Sequence, residues 1–220
     1  MNIEEHLNNI KSQLSEDVTL VAVSKTQPVE IIQKAYDAGQ RIFGENKIQE
    51  MVEKQSQLPD DIEWHMIGHV QRNKVKYMAE FVHMIHGVES LKLLKEINKQ
   101  AKKYDRIIAC LLQIKIATED TKFGMTEDEA LSILRSDDYL KLNNVKLVGV
   151  MGMATFTNDK AQVEKEFKSL KQTFDLLKIK IKDSKVFEVI SMGMSGDFKI
   201  ALSCGSNMVR IGSSIFGSRN

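Results

Sequence analysis

The 220-residue sequence is poor in cysteine and proline, with two of each, and has a single tryptophan. Cys110 and Cys204 stand far apart and in no CxxC pair. That excludes a disulfide scaffold and reads as a reduced, cytoplasmic chain. Cys110, inside RIIACLLQI, reads as a small core residue. Charge of one sign is lacking too: 31 basic residues face 30 acidic ones, a net charge of +1. No field favours a polyanion, so nucleic acid is excluded as a default partner. No apolar run approaches a membrane span. MNIEEHLNNIKSQL sets Ile3, Leu7, Ile10 and Leu14 at helical spacing among acids and amides, unlike a basic, apolar leader. With no low-complexity tract, short repeat or internal linker, the length suits one sizeable core better than two. The expectation is a single domain over residues 1–220.

What is present is a rhythm. Eight β-rich runs recur, at 20–24, 41–44, 63–68, 83–88, 106–116, 145–153, 185–190 and 208–212. Amphipathic stretches lie between them, among them PVEIIQKAYDAG, SLKLLKEINKQAKKY, TEDEALSILR with a capping-box opening, and AQVEKEFKSLKQTFDLLK. Strands apolar on both faces and separated by helices predict an α/β fold, a parallel (β/α)8 TIM-type barrel. Only SSIFGSRN follows the eighth run, so the additional N-terminal helix is expected to close the helical ring. A doubly wound open sheet shares the alternation and is the alternative.

In either fold, functional groups gather at the C-terminal ends of strands. Lys25 follows the first run, Glu45 and Asn46 the second, His69 and Gln71 the third, SMGMSGD (191–197) the seventh, while the eighth carries Arg210 and ends in IGSS. The last two pieces fall where barrels of this type build phosphate sites from backbone N–H groups. Each alone also reads as an ordinary strand-to-helix turn. Lys25 alone reads as a lysine reaching into water. At the mouth of a barrel holding phosphate, desolvation would lower its pKa and free the amine to attack an aldehyde. A phosphorylated aldehyde, pyridoxal 5′-phosphate (PLP), is the economical ligand.

AVSKT (22–26), FGEN (43–46) followed by Gln49 and Glu50, WHMIG (64–68) followed by Gln71, Asn73 and Lys74, TKFG (121–124), SMGMSGD and MVRIGSSIFG (208–217) resemble the pyridoxal phosphate homeostasis protein family. That family is similar to the N-terminal domain of alanine racemase. The resemblance implies a (β/α)8 barrel with PLP held as a Schiff base on Lys25. It also implies phosphate contacts from Ser195, Gly212, Ser213 and the main chain of Met194, with Asn46 on the pocket wall. Arg210 matches the arginine facing the pyridine nitrogen in related racemase barrels; a guanidinium only donates, so the ring would be a weaker electron sink. Lys47, Val70 and Phe156 depart from the family's usual residues; none is expected to touch Lys25 or the phosphate pieces, and they bear on the trim of the pocket.

Racemases of this fold carry a second domain that supplies an opposite-face tyrosine, and here the barrel is expected to use the whole chain. Tyr36, Tyr77, Tyr104 and Tyr139 all fall in or beside helical segments. A site with Lys25 alone holds half the machinery of racemisation. The reading is therefore a non-catalytic carrier or buffer in PLP homeostasis, a monomer or weak dimer, handing cofactor to PLP-dependent apo-enzymes. One alternative is a racemase-like PLP enzyme completed by a partner or dimer; another is a sugar-phosphate enzyme with Lys25 on substrate. Lys122 in TKFG is a candidate second amine at the mouth. No metal site is expected: His65 and His69 lie on a strand and its turn, and His83 and His86 on opposite strand faces.

Overall fold

The computed structural model describes residues 2–118 and 123–217. Eight parallel strands form a closed barrel in sequence order: β1 (Thr19–Val23), β2 (Ile42–Glu45), β3 (Glu63–Met66), β4 (Met84–Val88), β5 (Ile108–Gln113), β6 (Val145–Met151), β7 (Val189–Ser191) and β8 (Met208–Ile211). The helices are α1 (Ile3–Lys11), α2 (Val29–Asp37), α3 (Ile48–Gln55), α4 (Leu91–Lys102), α5 (Glu127–Arg135), α6 (Asp137–Leu140), α7 (Lys160–Lys180), α8 (Phe198–Ser203) and α9 (Ser213–Phe216), with a 3-10 helix over Arg72–Tyr77 between β3 and β4. Closure is made by β1 against β8, with Val21 opposite Arg210 and Ala22 opposite Ile211. This eliminates the open sheet, whose two edge strands would have no such pairing.

Alternation along each strand divides two cores. Leu20, Ala22, Phe43, Trp64, Ile85 and Val209 face the helices and join the larger apolar cluster. Val21, Met84, Leu111, Met151 and Met208 form a smaller one, which the same alternation places inside the barrel. The helices bury the predicted stripes: Leu93, Leu94 and Ile97 on α4, and Phe167, Leu170, Phe174 and Leu177 on α7. Thr126 and Glu129 make the capping box read from TEDE. α9 is one turn long, and α1 packs against it and α2; the His6 ring nitrogen Nδ1 lies 3.1 Å from the Ile215 carbonyl oxygen. The N-terminal helix thus fills the gap in the ring.

The seventh strand differs from its expected range. VFEVI carries the apolar content of a strand, but Phe187 is fully buried and stacks on Phe174 of α7 with ring centroids 5.2 Å apart. Packing against the helical layer holds it before the ladder, and pairing begins at Val189.

Between β5 and β6 the register skips a residue, pairing Cys110 with Leu147 and Leu111 with Gly149. A Cβ on Gly149 would collide with the carbonyl oxygen of Val189, so glycine here lets β6 and β7 approach. Overpacking of this kind costs roughly 1–3 kcal/mol or more. Gly149→Ala is therefore expected to lower the urea midpoint of unfolding by that equivalent without changing the slope, measured by circular dichroism.

Candidate functional site

The C-terminal ends of the strands surround a cavity of about 540 Å³, within the range of small-molecule sites. Lys25, Asn46, Met194, Ser195, Arg210, Gly212 and Ser213 all line it. Residues from four separate stretches of sequence, proposed on different grounds, thus meet in one place. Gln27, His69, Gln113, Phe123, Met153 and Asp197 join them on the walls. Lys122 lies outside the described residues.

Lys25 leaves β1 half-buried, and the backbone on both sides of it is tied down. Lys54 of α3 inserts its Nζ beneath the strand end and donates to the Ser24 carbonyl at 2.8 Å, to Glu45 Oε1 at 2.7 Å and to Glu50 Oε1 at 2.7 Å. Ser24 Oγ donates to the same Glu45 oxygen at 2.6 Å. On the far side, Thr26 adopts φ 63°, a left-handed conformation uncommon for a β-branched residue. Its N–H donates to Glu50 Oε1 at 2.5 Å, which helps offset a strain of order 1–3 kcal/mol. Burial raises the pKa of Glu45, against the opposing bonds from Lys54 and Ser24. At Glu50 burial pulls the same way, but the bonds from Lys54 and from the Thr26 N–H prevail and lower it. Asn46 is placed by its own backbone: a Cβ on Gly68 would overlap the Asn46 carbonyl, so the ends of β2 and β3 come together only because residue 68 is glycine.

Opposite stand the two glycine- and serine-bearing loops. Gly212 N–H donates to Ser195 Oγ at 3.3 Å and joins the loop after β8 to the loop after β7. Met194 N–H donates to Asp197 Oδ1 at 2.6 Å, so that backbone donor is engaged by a side chain from its own loop. Burial raises the pKa of Asp197, while the Met194 bond and the charge of Arg210 hold it back.

Arg210 is 4% exposed and points into the barrel. Its Nη1 donates to the carbonyl and hydroxyl oxygens of Ser191 at 2.8 and 2.6 Å, and its Nη2 to the Gly152 carbonyl at 3.1 Å. Burial pushes its pKa down to about 10, with Asp197 opposing, and the group stays cationic at neutral pH. The polar chain continues inward: Ser191 Oγ lies 3.1 Å from His86 Nδ1, and His86 Nε2 lies 3.0 Å from His65 Nδ1. Burial pushes His65 down to about 3, and His86 also falls well below its ordinary value; both rings are neutral at pH 7.

The Lys54 cluster and the His86–Ser191 chain were not read from the sequence. Lys54 had a signal, since Ile48, Met51 and Lys54 share the buried stripe of α3, and a lysine in an apolar register needs partners. His86 and Ser191 had none, because their meeting depends on strands 105 residues apart.

The family described as "Alanine racemase, N-terminal domain" matches residues 1–220. The chain is 37% identical to the pyridoxal phosphate homeostasis protein of Pasteurella multocida, covering 100% of this chain and 99% of that protein. It is 38% identical to the one of Homo sapiens, covering 91% and 76%. The chain belongs to the pyridoxal phosphate homeostasis protein family. Among solved structures, PipY of Synechococcus elongatus with PLP bound is 32% identical with a TM-score of 0.89, covering 98% of this chain and 100% of that one. An alanine racemase of Clostridium difficile shares the fold at 18% identity and a TM-score of 0.79, with 99% of this chain matching 57% of that one.

Within this family member, the Lys54 cluster makes a sharp expectation. Removing one partner of a buried ion pair costs roughly 3–5 kcal/mol, so Lys54→Met should lose about that much in urea unfolding at pH 7. Burial raises the folded-state pKa of Glu45 above its unfolded value, so the folded protein takes up that proton more readily. The loss should therefore shrink as pH falls through the raised value, and repeating the titration at acidic pH checks the sign.

Proposed function

We propose that this chain binds pyridoxal 5′-phosphate through a Schiff base on Lys25 and serves PLP homeostasis as a non-catalytic carrier or buffer in the cytoplasm. The observation that carries the reading is the convergence of Lys25, Asn46, Ser195, Arg210, Gly212 and Ser213 on one cavity, in a family whose members are named for PLP homeostasis.

The residues fit the group. PLP offers an aldehyde, a phosphate and a pyridine nitrogen, and the cavity offers an amine, a hydroxyl-rich loop pair and a buried guanidinium. Lys25 would hold the cofactor, its backbone tied down by the bonds to Ser24 and Thr26 on either side. The hydroxyls of Ser195 and Ser213, the backbone of Gly212 and the main chain of Met194 would hold the phosphate. Arg210, held by Ser191 and Gly152, would face the pyridine nitrogen as a donor only. When bound, PLP supplies an electrophilic carbonyl and an electron sink that this donor keeps weak.

Racemisation needs a proton removed on one face and returned on the other. Tyr36, Tyr77 and Tyr139 sit on α2, the 3-10 helix and α6, and Tyr104 follows α4; no tyrosine is among the described residues that line the cavity. This supports storage and transfer of PLP to apo-enzymes over turnover. The barrel, residues 1–220, is then one functional domain.

Borohydride reduction of the purified protein followed by peptide mass spectrometry should place the PLP adduct on Lys25, and Lys25→Ala should retain none. Adduct on another lysine, or none in the wild type, overturns the site. Racemisation of L- or D-alanine that disappears in Lys25→Ala overturns the carrier reading. A hydrogen bond to a charged group is worth roughly 1.5–3 kcal/mol. Ser195→Ala should therefore weaken PLP retention about tenfold to a hundredfold, measured by equilibrium dialysis.

A further inference from the structure

The N-terminal end of the barrel, opposite the cavity, holds a second cluster. Glu63 opens β3, and His83 stands immediately before β4, whose pairing with β3 sets His65 opposite Met84. The rings of His65 and His83 stack with centroids 5.6 Å apart. His83 Nε2 lies 3.4 Å from Glu63 Oε2, and one ligating atom from each of the three residues lies within 4.8 Å of the other two.

His65 is the decisive member. It is 1% exposed, its Nδ1 is taken by His86 Nε2, and its Nε2 is a buried nitrogen with no hydrogen-bond partner among the described residues. A ring nitrogen left in this way calls for an explanation.

We infer that Glu63, His65 and His83 form a binding site for a divalent transition-metal ion of the zinc type at the N-terminal end of the barrel. Two imidazoles and a carboxylate are a donor set that zinc and its neighbours favour, leaving a fourth position for water. Around a tetrahedral ion with bonds near 2.0–2.1 Å, ligand atoms stand roughly 3.3 Å apart. His83 and Glu63 close the remaining distance by side-chain rotation, since both lie near the barrel rim with side chains 49% and 44% exposed.

His65 is held in place by its neighbour. Its second nitrogen is already held by His86, the outer contact that orients metal-binding histidines. Coordination through Nε2 requires the proton on Nδ1, where it donates to His86 Nε2. His86 then donates from Nδ1 to Ser191 Oγ, so the ordered chain reaches Arg210. The absence of a metal motif in the sequence has a plain cause: the ligands come from β3 and the residue preceding β4 and are 20 residues apart at their widest.

The test uses tag-free protein as isolated, stripped with a chelator and titrated with Co²⁺ by visible absorption and with Zn²⁺ by calorimetry. One ion per chain is expected, with Zn²⁺ displacing the Co²⁺ band. His83→Ala and Glu63→Gln, both at half-exposed positions, should each weaken uptake at least tenfold with far-ultraviolet circular dichroism unchanged. Lys25→Ala should bind the metal as the wild type does, which separates this site from the cofactor reading. No saturable uptake, or uptake equal in wild type and both variants, overturns the inference.

Discussion

Closure of the sheet between β1 and β8 is the constraint on which the rest depends. Pairing of Val21 with Arg210 and Ala22 with Ile211 fixes the angular position of the first strand relative to the last. Lys25 lies just beyond one strand and Gly212 and Ser213 just beyond the other. With about 3.3 Å of rise per residue, this register brings an amine and a hydroxyl-bearing turn to the same rim though nearly the whole sequence separates them. Without closure, β1 and β8 would be opposite edges of a sheet.

A closed eight-stranded barrel has an interior only wide enough for side chains, and here polar groups take part of that space. Arg210, Ser191, His86 and His65 run as one hydrogen-bonded chain through a lining otherwise made of Val21, Met84, Leu111, Met151 and Met208. A buried guanidinium is tolerable only when its donors are occupied, and Ser191 and Gly152 occupy three of them. The same contacts hold it at the cavity wall. Satisfying the buried charge and placing it are thus one structural act.

Lys25 is positioned in a comparable way by a charge that never reaches the cavity. Lys54 joins the Ser24 carbonyl, Glu45 and Glu50, and Glu50 in turn holds the left-handed Thr26. The strained residue and the buried ion cluster flank the same lysine. A flexible four-carbon side chain gains direction when the backbone at its root cannot move.

How much was legible follows from the range of each interaction. Alternation of apolar residues is local, so the strand and helix order, the capped α5 and an α/β class of barrel or open sheet are legible directly, closure deciding between the two, and the glycine and serine pieces at 191–197 and 210–214 are visible as turns. Residue types also marked Lys25 and Arg210, because a cation at the end of, or within, a buried strand conflicts with its surroundings. What only the tertiary structure decided was company: that Lys54 reaches under Ser24, that Asp197 takes the Met194 N–H, that Phe187 belongs to the helical layer rather than the seventh strand, and that His65 touches both His83 and His86. Those contacts depend on strand register and on the shear of a closed sheet. The order of residues along the chain carries neither until β1 meets β8.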